Sequence, residues 1–286
     1  MQSKLDLELN SPESSVIEAN VEFYRQIASK YDRYETCAAS PGLQEMLNRD
    51  VDHIAMILGP RSRPVECLDC GGGTGNLTLK LLRMGWSVTV VDVSSDMLAI
   101  LRNKARSAGF SPVLVHDSFS EFLSRSGKSY DVIAFSSVLQ HLYSYLLGVA
   151  VAADHVEQKG VFYSAFDPVI SRNSRSALLF EMFDTLLAKI AHDRSDLLPG
   201  IRRRIRKTLL SGDARHHRPV ASPGNLAEYH AKTGVDDLAI VSLLQEKDFT
   251  IIDHTRRTTG RTALASAINR RLRLMESFKI IARRGI

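Results

Sequence analysis

The chain has 286 residues, 44% of them hydrophobic and 24% charged, with a net charge of +5. Such a balance places it among globular proteins with room for a sizeable core. No apolar run reaches the ~18 residues of a membrane helix; the best, 142–153, carries Ser144 and Gly148.

The first fifteen residues are polar, and they lack the basic-then-apolar layout of a signal peptide. The expectation is a cytoplasmic protein without stable membrane insertion. The stretch 16–34 places Val16, Ile17, Val21, Tyr24, Ile27, Ala28 and Tyr31 at helical spacing. Pro41-Gly42 breaks the chain before a second amphipathic helix over 43–58, which Gly59-Pro60 stops. Strands and helices then alternate: strands over 65–69, 87–92, 113–116, 130–135 and 160–166, helices over 76–84 and 95–108. The segment 167–235 interrupts this rhythm with helical patterns over 174–191 and 199–210. A helix over 235–246, a strand over 249–254, a helical stretch over 262–274 and a strand over 277–282 follow. Repeated units of this length imply an α/β fold with a mostly parallel sheet and helices on both faces. Four parts result: a helical arm (1–44), a core (45–166), a helical cap insertion (167–235) and the end of the core (236–286). Because ligands bind beyond the carboxyl ends of such strands, an insertion after the fifth strand is placed to cover the pocket.

The strongest chemical signal is Asp69-Cys70-Gly71-Gly72-Gly73-Thr74-Gly75, between a strand and a helix. Alternate glycines let the backbone turn sharply and lie against a ligand. The dinucleotide pattern wants a third glycine at 76, which is Asn. An acid beside the loop repels a pyrophosphate and attracts an ammonium group. Asp92, closing the second strand, suits the two hydroxyls of a ribose, and Asp117, past the third, suits an exocyclic adenine amine. Each acid could instead cap a helix or turn, but three closing consecutive strands together suit a neutral-to-cationic nucleoside.

These residues resemble the class I S-adenosylmethionine-dependent methyltransferases, in their small-molecule branch. The match runs from about Tyr24 to Phe166 and, more loosely, over the last 50 residues. Its carriers are 65–75, Asp92, Asp117, the segment 135–141, and the helix 23–32 that precedes the fold. The resemblance implies a Rossmann-like seven-stranded sheet with the last strand antiparallel, and S-adenosyl-L-methionine as cofactor. It implies cofactor contacts from Tyr24, Tyr31, Asp69, Gly71, Gly73, Asp92, Val93, Met97, Asp117, Ser118 and Ser136. The acceptor is expected to be a small or medium-sized molecule methylated at oxygen, of glycosylated, lipid-linked or secondary-metabolite type. An N- or C-methyltransferase, or a cofactor-binding regulatory protein without chemistry, are the alternatives.

Of nine histidines, His141 follows the fourth strand, where acceptor and methyl group should meet, and is the candidate base; a structural role competes. His216, His217 and His230 lie in the cap, and His254 near a strand end reads as structural. Cys67 and Cys70 have a metal-like spacing but lack the partners a site needs, so no metal is expected. Residues 201–286 hold 18 Lys/Arg against 8 Asp/Glu, and the first 200 hold 19 against 24. The basic run 202–207 could meet a phosphate-bearing acceptor, a membrane surface or only solvent. No pattern supports nucleic-acid recognition, and a homodimer is the assembly left open.

Overall fold

The computed structural model describes residues 12–34, 40–170, 229–230, 233–258 and 277–285. The expected helices over 174–191, 199–210 and 262–274, the basic run 202–207, and His216 and His217 lie outside them, as does nearly all of the cap insertion.

The arm begins with α1 (Pro12–Ile27), a 3₁₀ turn (Ala28–Lys30) and the short α2 (Tyr31–Tyr34). The helix α3 (Pro41–Leu58) starts two residues earlier than the sequence suggests. Pro41 does not break the chain there but opens the helix at its first turn, where a missing N–H costs nothing. The core then runs β1 (Glu66–Cys70), α4 (Thr78–Arg83), β2 (Ser87–Asp92), α5 (Ser95–Ser107), β3 (Val113–His116), α6 (Phe119–Ser126) and β4 (Tyr130–Ser136). A 3₁₀ turn (Leu139–His141), α7 (Tyr145–Asp154) and β5 (Val156–Pro168) follow, then α8 (Asp237–Glu246), β6 (Phe249–Arg257) and β7 (Ser277–Arg284). Neither α6 nor α7 is expected from periodicity. The α7 segment is apolar nearly all round, which hides a helical stripe.

The seven strands form one sheet in the order β3-β2-β1-β4-β5-β7-β6. Pairings among β1 to β5 are parallel, and β7 runs antiparallel to both neighbours. Side chains of alternate strand residues fill two cores. Cys67, Val88, Val90, Val132 and Tyr163 meet Leu47, Ile54, Leu81 and Leu101 of α3 to α5 on one face. Leu68, Ile133, Phe135 and Ile280 meet Leu123, Val149, Ala152, Ile240 and Leu244 of α6 to α8 on the other. Burial on both faces explains why the central strands read as continuous apolar runs.

Strand order reverses between β1 and β4, and that switch point opens a crevice at the carboxyl edge. The insertion leaves and rejoins the core there: Val169 and Val235 form a parallel bridge, and the Val235 amide donates to the Pro168 carbonyl at 2.8 Å.

Candidate functional site

The glycine loop crosses the crevice from β1 to α4. Its first amide, Gly71 N, donates to the Val91 carbonyl at 2.7 Å, tying the turn to β2. Gly71 holds φ +66, and a Cβ there would lie 2.8 Å from the Val138 side chain; Gly75 holds φ +90, and its Cβ would lie 2.2 Å from Leu101. Both positions therefore need glycine for conformation and for room. The arm locks the loop from outside. Thr74 Oγ1 donates to Asp32 Oδ1 at 2.5 Å, and Lys104, which pairs with Asp32, donates to the Thr74 carbonyl at 3.0 Å.

A cavity of about 780 Å³ lies over the loop, within the ~300–1,000 Å³ typical of small-molecule sites. All twelve candidate residues line it: Tyr24, Tyr31, Asp69, Gly71, Gly73, Asp92, Val93, Met97, Asp117, Ser118, Ser136 and His141.

The three acids differ in state. Asp69, the acid beside the loop, is buried at 1% exposure. Its Oδ2 accepts from Thr78 Oγ1 at 2.6 Å, and its buried Oδ1 has no partner. Burial pushes its carboxyl up to about 7, the Thr78 bond opposes that, and the charge of Asp92 adds to it. Asp92 accepts Gly73 N on Oδ2 and Ser94 N on Oδ1, each at 2.8 Å. Burial raises its carboxyl as well, against those two amides. Asp117 accepts Ser118 N at 2.8 Å and pairs with Arg125 on its exposed side. Ser118 also caps α6 by accepting Glu121 N at 3.3 Å, so capping and cavity lining coincide in it.

Beyond β4, His141 Nε2 lies 3.0 Å from Tyr24 Oη and 3.3 Å from Gln140 Nε2, with the two rings edge to face. The arm grips the same turn through Asn20, whose Nδ2 donates to the Val16 and His141 carbonyls at 2.9 and 3.2 Å. Asn20 Oδ1 is buried without a partner. Sequence reasoning missed Asn20, and missed the cavity's apolar wall of Val16, Ile17, Phe119, Leu142, Leu147 and Val151. An asparagine inside an amphipathic stripe was the one available signal.

Of the remaining candidates, those that are described, His230, His254, Cys67 and Cys70, do not line the cavity. The His230 amide donates to the Gln140 carbonyl at 2.7 Å, and its ring packs on Tyr145 and Tyr229. His254 Nε2 meets Asp237 Oδ2 at 2.7 Å beside Arg256, a structural cluster. Cys67 and Cys70 are both buried, on opposite faces of β1, where burial raises each thiol. They cannot share an ion, and among the described residues no cluster of three metal-ligating side chains forms.

Residues 67–160 match the model of the methyltransferase domain family. The chain is 31% identical over 134 residues to the ubiquinone biosynthesis O-methyltransferase of Rhizobium rhizogenes strain K84, covering 45% of this chain and 52% of that protein. It is 28% identical over 114 residues to the ubiquinone/menaquinone biosynthesis C-methyltransferase UbiE of Zymomonas mobilis, covering 39% and 45%. The chain thus spans about half the length of the curated relatives it matches. Its fold is similar to that of the N-methyltransferase NodS from Bradyrhizobium japonicum WM9 bound to S-adenosylhomocysteine. That superposition has a TM-score of 0.56 at 11% identity, over 93% of this chain and 98% of that one. Residues 67–160 are thus similar to a methyltransferase domain, and the fold of the chain is that of a solved methyltransferase.

Proposed function

We propose that this chain transfers a methyl group from S-adenosylmethionine to an oxygen of a small or medium-sized acceptor of glycosylated, lipid-linked or secondary-metabolite type. The observation that carries the reading is convergence: acids at or just past the ends of three adjacent parallel strands meet a glycine cradle in one cavity. The residues fit such a donor. The unpartnered, buried Oδ1 of Asp69 is an acceptor awaiting a cationic donor, which an ammonium group provides. Each oxygen of Asp92 has accepted one amide and keeps lone pairs for hydroxyls. Asp117 faces the cavity for an exocyclic amine. The donor supplies an electrophilic methyl carbon on a sulfonium centre.

The chain's own work is alignment, exclusion of water and deprotonation of the acceptor. The arm lines the cavity through Asn20, Tyr24 and Tyr31 and holds the glycine loop through Asp32. His141 takes up the acceptor's proton, with Tyr24 Oη orienting the ring, and the insertion, whose ends meet at the crevice, selects the acceptor. The domain works in the cytoplasm as a monomer or homodimer, without nucleic acid.

Donor carrying an isotopically labelled methyl group, incubated with a panel of hydroxylated acceptors, tests the reading. Label on an acceptor oxygen is the expected result. Label only on nitrogen or carbon overturns the oxygen assignment, and binding without transfer to any acceptor supports a regulatory protein.

A further inference from the structure

Asp167, next to last in β5, is a fully buried carboxylate without a task in the proposed reaction. Its Oδ1 accepts the Gln140 amide at 3.0 Å, and Ser164 Oγ approaches Oδ2 at 3.5 Å. The turn after β4 is thus tied to this anion through its Gln140 amide, and the Leu139 and Val138 amides add to the field that favours the charged form. No cation pairs with it among the described residues. Charged groups on the neighbouring elements are committed elsewhere. Lys279 of β7 binds Asp50 and Asp253; Asp237 of α8 binds His254 and Arg256; Asp236 caps α8; His230 contacts the Tyr143 carbonyl. The nearest titratable group on the turn itself is His141.

The backbone around this anion is strained. Ser137 (φ 61) and Phe166 (φ 69) both occupy the left-handed region, and the Ser137 amide donates to the Ala165 carbonyl at 2.8 Å. Non-glycine residues stay there only when surrounding contacts over-determine them, and such strain gathers at functional sites. An unpaired buried carboxylate is costly in the same way. Both concentrate where the turn that carries His141 meets the strand that launches the insertion.

We infer that Asp167 is a positioning residue: its carboxylate fixes the turn 138–141 so that the His141 ring meets Tyr24 at the cavity wall, and its protonation releases that turn. The role of His141 rests on the proposed transfer reaction; the coupling between the two residues does not. Burial pushes the Asp167 carboxyl up to about 7, with the turn amides opposing, so its proton exchanges in the neutral range. The protonated acid is a weaker acceptor for the Gln140 amide, and the loosened turn no longer holds the ring against the phenol.

Nuclear magnetic resonance of the full chain, labelled in its amides and histidine rings and titrated from mildly acidic to mildly basic pH, tests this. The amides of Val138, Leu139 and Gln140 should move together with a midpoint near neutrality, and the His141 ring should sense the same event. In Asp167→Asn that shared transition of the turn amides and the His141 ring should vanish. A purely structural Asp167 would lower the melting temperature without moving either titration. The proposal is overturned if the wild-type amides stay flat through neutrality, a result that does not depend on the variant folding. It is equally overturned if folded Asp167→Asn keeps the shared transition. Calorimetric titration of wild type with S-adenosylhomocysteine runs beside it: failure to bind would sink the cofactor reading and leave the Asp167 coupling to its own result.

Discussion

Replacing Asp92 by alanine removes a side chain that joins the glycine loop to the end of β2. Two amides lose their acceptor, Gly73 N and Ser94 N, each now at 2.8 Å from a carboxylate oxygen. Hydrogen bonds to a charged acceptor contribute about 1.5–3 kcal/mol each, and two ribose hydroxyls would lose a similar pair. If water recovers half of the ligand's share, about 1.5–3 kcal/mol of binding disappears, and each 1.4 kcal/mol is a factor of ten. Affinity for S-adenosylhomocysteine should therefore fall at least tenfold, measured by isothermal titration on a variant whose melting curve shows it folded. Asparagine is not a mild substitute here. The two amides sit on different oxygens, so an amide side chain must turn its NH₂ toward one of two N–H donors, and Asp92→Asn should lose nearly as much as alanine. Undiminished affinity in folded Asp92→Ala would refute the reasoning and show that the ribose is held elsewhere.

Asp69 predicts a proton linkage. Its folded-state carboxyl, raised to about 7 from the ordinary 3.8, keeps a proton that the unfolded chain releases, so its contribution to stability declines from pH about 4 to about 7 and then levels. An ammonium ligand favours the ionised form, so donor binding below neutrality should release a proton; its heat should differ between buffers of unlike ionisation enthalpy, and equal heats would count against the role of Asp69. The insertion should be separable from the cofactor site, because Val169 and Val235 already lie side by side. Replacing 171–228 with a short Gly/Ser linker should leave S-adenosylhomocysteine binding intact and abolish transfer to the acceptor. A folded deletion that still methylates normally would remove the insertion from the site.

Strand positions and the cradle were legible because they depend on local chemistry. Buried parallel strands are short apolar runs, and the glycines between Asp69 and Asn76 punctuate them in the one place where a ligand needs bare backbone. The acids at 92 and 117 were legible as strand-terminal polar residues. What escaped depends on distant partners. Asp69 reads as an acid near a loop, but that it is buried with one oxygen unpartnered follows only from packing. Asn20 and Asp167 both act on His141's turn, from 121 residues before and, through Gln140, 27 residues after. The helix α7 escaped for a different reason: its segment is apolar on every side, so it offered no stripe to read.

The central claim is that the cradle and its acids select a nucleoside sulfonium donor over a dinucleotide. Isothermal titration of the full chain with S-adenosylmethionine, S-adenosylhomocysteine and NAD, in one buffer at fixed salt, tests it most directly. The account predicts saturable binding of the first two, with NAD weaker than either. Tighter binding of NAD, or no binding of the sulfur ligands by folded protein, would contradict it.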